Sequence, residues 1–423
     1  MDAQEVEAES PGDRDGQVTE PTDHERPVNL GARAGDTDRE SAGCNQNKDG
    51  KSEFANGRAE RAGRRKRPAT RQSSSQSRRN ENSPYYGALD LGTNNCRLLV
   101  ARPTRRGFLV VDAFSRIIRL GEGVSKTGVL SDQAMDRTID ALRICSNKMT
   151  RRHVKRSRVI ATEACRMAMN SADFIDRVHS EAGLKLEIVT RETEAKLAVS
   201  GCASLLDRSC DWALVFDIGG GSSELILLDL TNQKRKLRRS LYDRLEAQEC
   251  ITAWTSLPVG VVTLAELYGG RDVSHDVFER MVDHVGVHLK TFESQHQILG
   301  RLREGSCHLL GTSGTVTTLA GIHLGLPSYD RNRVDGCWLQ IAEIRDVTES
   351  LISMDYEDRI AQPCIGADRA DLVLAGCAIL EAILRAWPCD RLRVADRGLR
   401  EGILATLMAE DGLLRGGGSK RSG

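Results

Sequence analysis

The sequence predicts an α/β fold built from two similar halves. After Pro84, short apolar runs that are typical of strands alternate with stretches of helical periodicity. One strand–turn–strand pattern occurs twice, around Asp90 and again around Asp217. This duplication predicts two domains of the same construction that face each other across a cleft.

The composition excludes several classes of protein. The chain has 423 residues, 39% of them hydrophobic, with a formal net charge of +0. This length and apolar content predict two or three domains with ordinary cores. The neutral balance predicts neither DNA nor a membrane as a partner. Twelve cysteines without a Cys-x-x-Cys pair are expected to be reduced thiols, which predicts a cytoplasmic protein.

The first part of the chain is unlike the rest. Residues 1–83 contain one aromatic residue, Phe54, and almost no apolar periodicity. Such a segment buries too little apolar surface to offset the entropy lost on ordering, so we expect a disordered, charged tail. Its basic run, Arg64–Arg67, either contacts an anionic polymer or, more simply, is a solvated run of charges. Residues 416–423 are expected to be disordered as well.

The first half of the folded region is predicted to alternate strands and helices. Strands are expected at Tyr86–Leu91, Cys96–Ala101, Phe108–Phe114, Arg116–Leu120, Arg158–Ala161 and Leu186–Thr190. A helix is expected after Ser131, which is a residue type suited to cap it, because apolar residues recur there at helical spacing. Further helices are expected at Ala172–Ala182 and Thr193–Leu206.

The second half begins with the repeated pattern and continues in the same alternating way. Strands are expected at Trp212–Asp217, Glu224–Leu230, His308–Leu310 and Leu392–Ala395. Helices are expected around Val277–Phe292, at Asp371–Trp387 and at Leu399–Met408. Residues 231–256 are polar and rich in lysine and arginine, which predicts a long hairpin loop.

The two copies of the repeated pattern align without gaps, Asp90–Val100 with Asp217–Leu227. In each copy an apolar strand ends in a carboxylate and a glycine follows two residues later. Small polar residues then form the turn, and a charged residue opens the return strand. A later segment, Gly311–Thr315, has the same glycine-rich character. Two copies in register, together with this third loop, favour a shared function over two unrelated hairpins.

These turns suit a phosphate ligand that is bound together with a metal ion. Glycine lets backbone N–H groups approach a phosphate closely, and consecutive N–H groups form an anion-binding nest. The strand-end carboxylates repel bare phosphate, so they are explained by Mg²⁺ or Mn²⁺ that bridges to phosphate oxygens. The alternative is that Asp90 and Asp217 cap their own turns.

The pattern defines two sets of candidate residues. The candidate metal-binding residues are the carboxylates Asp90, Asp217 and Glu224. The candidate phosphate-binding residues of the loops are Gly92, Thr93, Asn94, Asn95, Gly219, Gly220, Gly221, Ser222, Thr312, Ser313, Gly314 and Thr315.

The chain resembles the exopolyphosphatase/guanosine pentaphosphate phosphohydrolase family, within the superfold of actin, sugar kinases and heat-shock chaperone ATPases. The matching segments are Asp90–Arg97, Ala161–Arg166 with Asn170–Phe174, Glu192–Ala195, Asp217–Glu224 and Ala395–Gly402. The sequence departs from the family at Arg397, where glycine is usual, and in its long basic loop 231–256.

The resemblance implies two actin-like (ribonuclease H-like) domains with a cleft between them, and a homodimer. The predicted divisions are residues 84–209 for domain I, 210–398 for domain II, and 399–415 for a C-terminal helix that packs back on domain I.

Three further side chains are candidates for the chemistry. Glu194 lies near the start of a helix whose field favours an ionised carboxylate, and the resemblance implies that the matching glutamate activates the attacking water. Arg97 and Arg166 are candidates for phosphate contact, because a guanidinium presents a planar fork of donors. A first-turn helix glutamate and two surface arginines are the simpler alternatives.

The resemblance implies a hydrolase, and we rank its substrates from the sequence. Exopolyphosphatase activity is the first expectation, and hydrolysis of guanosine pentaphosphate (pppGpp), a nucleotide of the stringent response, is the second. A sensor that binds without turnover and a kinase of the same superfold are weaker alternatives. A long basic channel, including Lys234–Arg239 or Arg151–Arg158, would favour the polymer, and a closed base-binding pocket would favour the nucleotide.

Overall fold

The computed structural model describes residues 83–104, 107–231 and 247–413. The predicted tails, apart from Ser83, lie outside these residues, as do Lys234–Arg239 of the predicted loop. The description below concerns the described residues alone.

Strands in the described residues form two mixed sheets. The first contains β1 (Tyr85–Leu91), β2 (Asn95–Thr104), β3 (Gly107–Ile117), β4 (Val154–Ala161) and β5 (Leu186–Ile188). The second contains β6 (Trp212–Ile218), β7 (Ser223–Asp229), β8 (Ile251–Leu257), β9 (Cys307–Gly311), β10 (Trp338–Gln340) and β11 (Arg391–Val394).

Helices connect and cover these sheets. The first half contains α1 (Val124–Thr127), α2 (Asp132–Arg151), α3 (Glu163–Met167), α4 (Ser171–Ala182) and α5 (Arg191–Cys202). The second half contains α6 (Val261–Tyr268), α7 (His275–His296), α8 (Ile298–Glu304), α9 (Gly314–His323), α10 (Arg331–Val334), α11 (Ile341–Ser353), α12 (Tyr356–Ala361), α13 (Val373–Ala386) and α14 (Leu399–Glu410). Within the described segments, no helix combines the length and the apolar character needed to cross a bilayer.

The two sheets repeat one topology, which confirms the predicted α/β duplication. The first has the order β3-β2-β1-β4-β5, and the second has β8-β7-β6-β9-β11 with β10 added at its edge. In both, the first three strands are antiparallel neighbours and the next pairings are parallel. The carboxyl ends of the first strands of both sheets, β1 and β6, therefore carry equivalent turns.

Two local predictions were wrong. The separate strands expected at Phe108–Phe114 and Arg116–Leu120 form one strand, β3, that ends at Ile117. The predicted loop 231–256 includes β8, in which Ala253 and Leu257 are buried while Trp254 is exposed. This edge strand has one solvent face, so its apolar content is low and the strand signal is weak next to the charged run before it.

Two helices lie between the sheets. On α5, Ala195, Val199 and Cys202 pack against the second sheet. On α14, Ile403 and Leu404 belong to an apolar core with strands of the first sheet. Larger cores cover the outer face of each sheet. The pair α5 and α14 therefore joins the two halves at the base of the space between them.

His308 in β9 predicts a pH dependence of stability. It is fully buried, its Nε2 accepts a hydrogen bond from the Asp207 N–H at 3.3 Å, and burial lowers the pKa of the imidazole to about 4. Between pH 6.5 and 4 the unfolded chain binds a proton that the folded chain excludes, so the free energy of unfolding falls as the pH falls. The full loss is roughly 3 kcal/mol.

The His308→Gln variant keeps an acceptor but cannot titrate. We expect its urea-unfolding free energy to fall less than that of the wild type between pH 6.5 and 4. The exposed His179→Gln variant is the control and should follow the wild type. If the unfolding free energies of the wild type and of His308→Gln fall in parallel as the pH is lowered, His308 is not the group responsible for the loss of stability.

Candidate active site

The two repeated turns have the same local structure. The Gly92 N–H donates to Asn95 O at 2.9 Å, and the Gly219 N–H donates to Ser222 O at 2.9 Å. Strands β1 and β6 show the same order of buried and half-buried positions, with Asp90 and Asp217 half-buried at the same place. The aligned sequences therefore fold into equivalent hairpins.

The hairpins differ in the charge that stands opposite the carboxylate. In the first, Asp90 is paired across the ladder with Arg97. In the second, Asp217 is paired with Glu224. The first hairpin thus places a guanidinium opposite its carboxylate, and the second hairpin places two carboxylates opposite each other.

The two turns contact each other directly. A Cβ added at Gly220 would lie 2.9 Å from the Thr93 Cβ and 3.2 Å from the Asn94 N. These distances are too short for a side chain at this position, so glycine permits the approach. The first and second hairpins therefore meet, as the sequence predicted.

An open cleft lies where the hairpins meet, and its space amounts to about 1240 Å³ when the solvent-filled opening is included; it is called the cavity below. It is lined by every predicted site residue except Arg166, namely Asp90, Gly92, Thr93, Asn94, Asn95, Arg97, Glu194, Asp217, Gly219, Gly220, Gly221, Ser222, Glu224, Thr312, Ser313, Gly314 and Thr315. The structure brings these candidates together, and their individual roles remain predictions.

Four carboxylates of the cavity share an unfavourable electrostatic environment. Desolvation in the cleft, followed by the charges of Glu224 and Asp90, raises the pKa of Asp217 to about 7. Desolvation likewise raises the pKa of Asp90 and, together with the Glu224 charge, raises the pKa of Glu194 well above its usual range. The pKa of Glu224 is also raised by burial, although hydrogen bonds from Ser222 and Ser256 oppose this. Such a cluster favours a bound cation.

Arg166 was predicted to contact phosphate, but it does not line the cavity. Its Nε donates to Glu163 Oε2 at 2.8 Å and its Nη1 donates to Val189 O at 2.9 Å. Its Nη2 lies 2.8 Å from Glu194 Oε2. The Nε and Nη1 groups thus donate to protein acceptors, while the contact of Nη2 with Glu194 is an ion pair without hydrogen-bond geometry in the described residues. This contact makes Arg166 a candidate for positioning Glu194.

Glu163, which itself lines the cavity, anchors Arg166. Its side chain is only 2% exposed, and it pairs with Arg166 and with Arg191 Nη2, the latter at 2.5 Å. Helix α5, which carries Glu194, begins with the Thr190 hydroxyl accepting from the Thr193 N–H. The Ala161–Arg166 segment had been singled out in the sequence, but the part played by Glu163 had not.

Three arginines that line the cavity, Arg97, Arg369 and Arg400, make no side-chain hydrogen bond or ion pair within the described segments. Burial lowers the pKa of Arg400 below the usual arginine range. Carboxylates act electrostatically on Arg97 and Arg400, but guanidinium donors that are not used within the described segments can bind an anionic ligand. Sequence reasoning missed Arg400, although it lies in the matched segment Ala395–Gly402, and Arg369, for which no motif provides a signal.

The residues fit a magnesium ion that is bound mainly through water. No three Asp, Glu, His or Cys side chains of the described residues converge closely enough to hold a metal directly. The carboxylates still surround one cavity, and the buried side-chain oxygens of Asn94 and Asn95 have no hydrogen-bond partner in the same residues. Mg²⁺ usually keeps several waters and takes one or two carboxylates plus phosphate oxygens, which suits this oxygen-rich set.

Arg397, which replaces the usual glycine, lies at the edge of the cavity. Its Nε lies 2.9 Å from Asp335 Oδ2, its Nη2 pairs with the same carboxylate, and its Nη1 donates to Ser204 at 3.2 Å. The nearby carboxylate therefore neutralises most of the charge that this substitution adds.

Polar contacts join the two halves through residues that do not themselves line the cavity. Arg119, after β3, forms a bidentate pair with Asp371 at 3.0 and 3.2 Å. Glu266 of α6 accepts from the Gly123 N–H at 2.8 Å and from the Ser125 hydroxyl at 2.6 Å. Both contacts join a segment that follows the first sheet to the second half, and the Arg119 pair holds the turn that carries Arg369.

The Arg119→Gln variant is expected to raise KM by roughly three- to tenfold with a smaller change in kcat, because the partly exposed pair holds the turn that carries Arg369 of the cavity. Steady-state kinetics at low and high salt measure this. Arg137→Gln, which removes a pair with Glu122 in the same half, is the control. Equal changes in KM for the two variants would contradict the role proposed for Arg119.

Comparison with known proteins identifies the family. The model of the Ppx/GppA phosphatase family matches residues 99–411. A guanosine-5'-triphosphate,3'-diphosphate pyrophosphatase of Aeromonas salmonicida is 28% identical over 330 residues, which are 78% of this chain and 60% of the relative. One from Photobacterium profundum is 26% identical over 78% of this chain and 61% of its own length. The chain thus spans about three fifths of these curated relatives.

Solved structures agree with this result and cover nearly all of their own chains. The Ppx/GppA family member of Aquifex aeolicus superposes with a TM-score of 0.61 at 27% identity, over 78% of this chain and 98% of the other. An exopolyphosphatase-like protein superposes with a TM-score of 0.66 at 25% identity, over 77% and 99%. The predicted actin-like, two-domain α/β fold is confirmed, and this chain belongs to the Ppx/GppA phosphatase family.

Proposed function

We propose that this protein hydrolyses the terminal phosphoanhydride bond of a polyphosphorylated substrate, with Glu194 as the general base for water. One observation carries the proposal: Glu194 lies on the wall of a cavity where two glycine turns meet, with its Oε2 2.8 Å from Arg166 Nη2. A buried carboxylate fixed by an arginine is suited to orient a water and accept its proton.

The remaining groups have separate tasks in this proposal. Backbone N–H groups of the hairpins and of the Thr312–Thr315 loop bind phosphate oxygens, and Arg97, Arg369 and Arg400 neutralise their charge. Asp90, Asp217 and Glu224 would hold Mg²⁺, mainly through its waters, and the ion would supply further neutralisation of the phosphate charge. Glu194 takes the proton of the attacking water while Arg166 holds its carboxylate. Alignment and electrostatic stabilisation account for most of the rate in phosphoryl transfer.

For the substrate we favour guanosine pentaphosphate. One wall of the cavity is apolar, with Ile365, Leu372 and Val373 next to Arg369. A nucleoside would gain binding free energy from such a wall, since its base and ribose would bury apolar surface there. Polyphosphate is anionic along its whole length and has no apolar surface to bury against this wall. The similar curated relatives are pyrophosphatases of the same nucleotide by name, which supports this choice.

One of the two basic stretches that would have favoured a polymer, Arg151–Arg158, is largely neutralised within the protein, and the other, Lys234–Arg239, lies outside the described residues. Arg152 pairs with Asp112 at 2.9 Å, Arg156 with Glu410 at 2.7 Å, and Arg158 with Glu187 at 2.8 Å. Residues 151–158 therefore do not present a free cationic track. For this reason pppGpp replaces polyphosphate as the leading substrate. Polyphosphate remains the second candidate, since an exopolyphosphatase-like structure is among the relatives.

Phosphate release from pppGpp and from polyphosphate, measured with the same enzyme and Mg²⁺, tests the choice. We expect the higher kcat/KM with pppGpp. Release from neither would refute hydrolysis, and a higher kcat/KM with polyphosphate would overturn the preference.

The Leu372→Ser variant tests the apolar wall itself. Leu372 is buried beside the cavity but lies outside the four apolar cores. Its loss should lower kcat/KM for pppGpp about tenfold, which corresponds to the apolar contact of part of a base, and leave polyphosphate hydrolysis unchanged. Leu267→Ser, at a position that is 61% exposed, is the control. Equal losses with both substrates would argue against a nucleoside on this wall.

A further inference from the structure

Two cysteines on the second sheet lie in direct contact, away from the cavity. Cys307 is the first residue of β9, and Cys389 precedes β11, the parallel neighbour of β9. Their Sγ atoms are 3.1 Å apart, about 1 Å longer than an S–S bond. A small rotation of the side chains therefore brings the sulfurs to bonding distance.

Both thiols are open to small reagents. Cys307 and Cys389 are half-buried, and Cys389 lines a shallow surface depression with Pro388, Asp390 and Gln340. A second thiol pair provides a contrast. Cys96 and Cys145 also share a hydrogen bond, but both are completely buried in the core of the first half. The two thiols are in contact in both pairs, but of the two pairs it is Cys307–Cys389 that solvent can reach.

We propose that Cys307 and Cys389 are a redox modification site that a hydroperoxide converts into an intramolecular disulfide. The pair satisfies the requirements of proximity and access together. Neither cysteine lines the candidate active site, so the modification is independent of the proposed hydrolysis.

The oxidation balances with the peroxide as the only co-reactant. The Cys307 thiolate attacks one peroxide oxygen, so an S–O bond forms, the O–O bond breaks, and the leaving hydroxide takes up a proton as water. The Cys389 sulfur, after losing its proton, attacks the sulfenic acid; the S–S bond forms and a second water leaves. The hydrogen bond between the two thiols lowers the pKa of one of them, here Cys307, and raises that of the other. We take Cys307 as the first nucleophile, and the reaction balances in the same way if the two cysteines exchange roles.

The bond would join the starts of two strands that lead to the cavity. Strand β9 continues into the Thr312–Thr315 loop, and β11 continues into the segment that holds Arg397 and Arg400. A covalent link at the opposite ends of these strands restricts their separation. We expect the oxidised protein to unfold about 5 °C higher than the reduced protein.

Treatment of the reduced full-length protein with hydrogen peroxide, followed by alkylation and peptide mapping without reductant, tests the proposal. We expect a Cys307–Cys389 peptide 2 Da lighter than the sum of the two thiol peptides, removed by a dithiol reductant. The buried Cys96–Cys145 pair should remain reduced in the folded protein. Cys307→Ser and Cys389→Ser should each lose the linked peptide and the rise in Tm, while Cys337→Ser, at another half-buried cysteine, should keep both.

Three results would overturn the site. One is the absence of the linked peptide while the folded protein is otherwise oxidised. Another is preferential linkage of Cys389 to the nearby Cys210, which contributes to its electrostatic environment. The third is equal oxidation of the buried pair, which would show that the reaction occurs in unfolded chains. Serine variants that fail to fold are identified by circular dichroism, and the wild-type mapping then decides alone.

Discussion

The Glu194→Gln variant should hydrolyse substrate about 10²–10⁴-fold more slowly than the wild type, because glutamine cannot accept the proton of the attacking water. The amide keeps the size of the side chain and a partner for Arg166, which lies 2.8 Å from Glu194. Substrate affinity should therefore stay within about threefold. Single-turnover phosphate release gives the rate, and binding of pppGpp to the same variant gives the affinity.

Glu192 provides a matched control for this experiment. It lies in the same first turn of α5, but its side chain is 53% exposed and pairs with Lys196. Glu192→Gln should keep nearly full activity. If both variants keep it, Glu194 is not the base; if both lose it, the effect belongs to the helix terminus and not to the carboxylate in the cavity.

The Gly201→Ala variant should lose about 3 kcal/mol or more of unfolding free energy, seen as a Tm lower by roughly 6–12 °C. Near the end of α5, a Cβ at this position would lie 1.7 Å from the Gly398 carbonyl oxygen. The main chain before α14 must shift to accommodate a methyl group; Arg397 is on that segment and Arg400 is in the first turn of the helix. We therefore expect KM to rise as well.

The Gly286→Ala variant is the control. It distinguishes the effect of the close contact at Gly201 from the general effect of replacing a helical glycine by alanine. Gly286 lies in the middle of α7, and nothing is within 4 Å of the position that its Cβ would occupy. Gly286→Ala should be neutral or more stable by about 0.5–1 kcal/mol, because alanine favours the helix. Thermal unfolding of both variants checks this, and a Gly201→Ala protein as stable as the wild type would contradict the close approach.

Much of the site could be predicted because its signals are local. The hairpin at Asp90 and the hairpin at Asp217 each need a strand, a glycine and small residues in order, and this pattern is visible in a few consecutive residues. Their duplication supplied the long-range information, since equivalent turns on equivalent strands meet across a cleft. The strand order of the second sheet repeats that of the first for the same reason.

The remaining features depend on contacts between distant residues. Arg369 comes from the turn before α13 and reaches the cavity because Arg119, from the other half, holds Asp371 beside it. Arg166 resembled a phosphate ligand by residue type, but its Nε and Nη1 donate to Glu163 and Val189 within the fold, and its Nη2 forms an ion pair with Glu194. The spacing of residues along the sequence does not show which distant side chains will pair with a guanidinium in the folded protein.

The opposite charges in the two hairpins give the site a direction. Their backbones are equivalent, yet Arg97 stands where the second hairpin has Glu224. Bare phosphate oxygens are attracted to the first side, and a cation that accompanies them is attracted to the second. We therefore expect the phosphate chain to lie nearer the first hairpin and its accompanying cation nearer the second. The difference between one arginine and one glutamate thus gives two hairpins of the same backbone separate tasks in holding a single ligand.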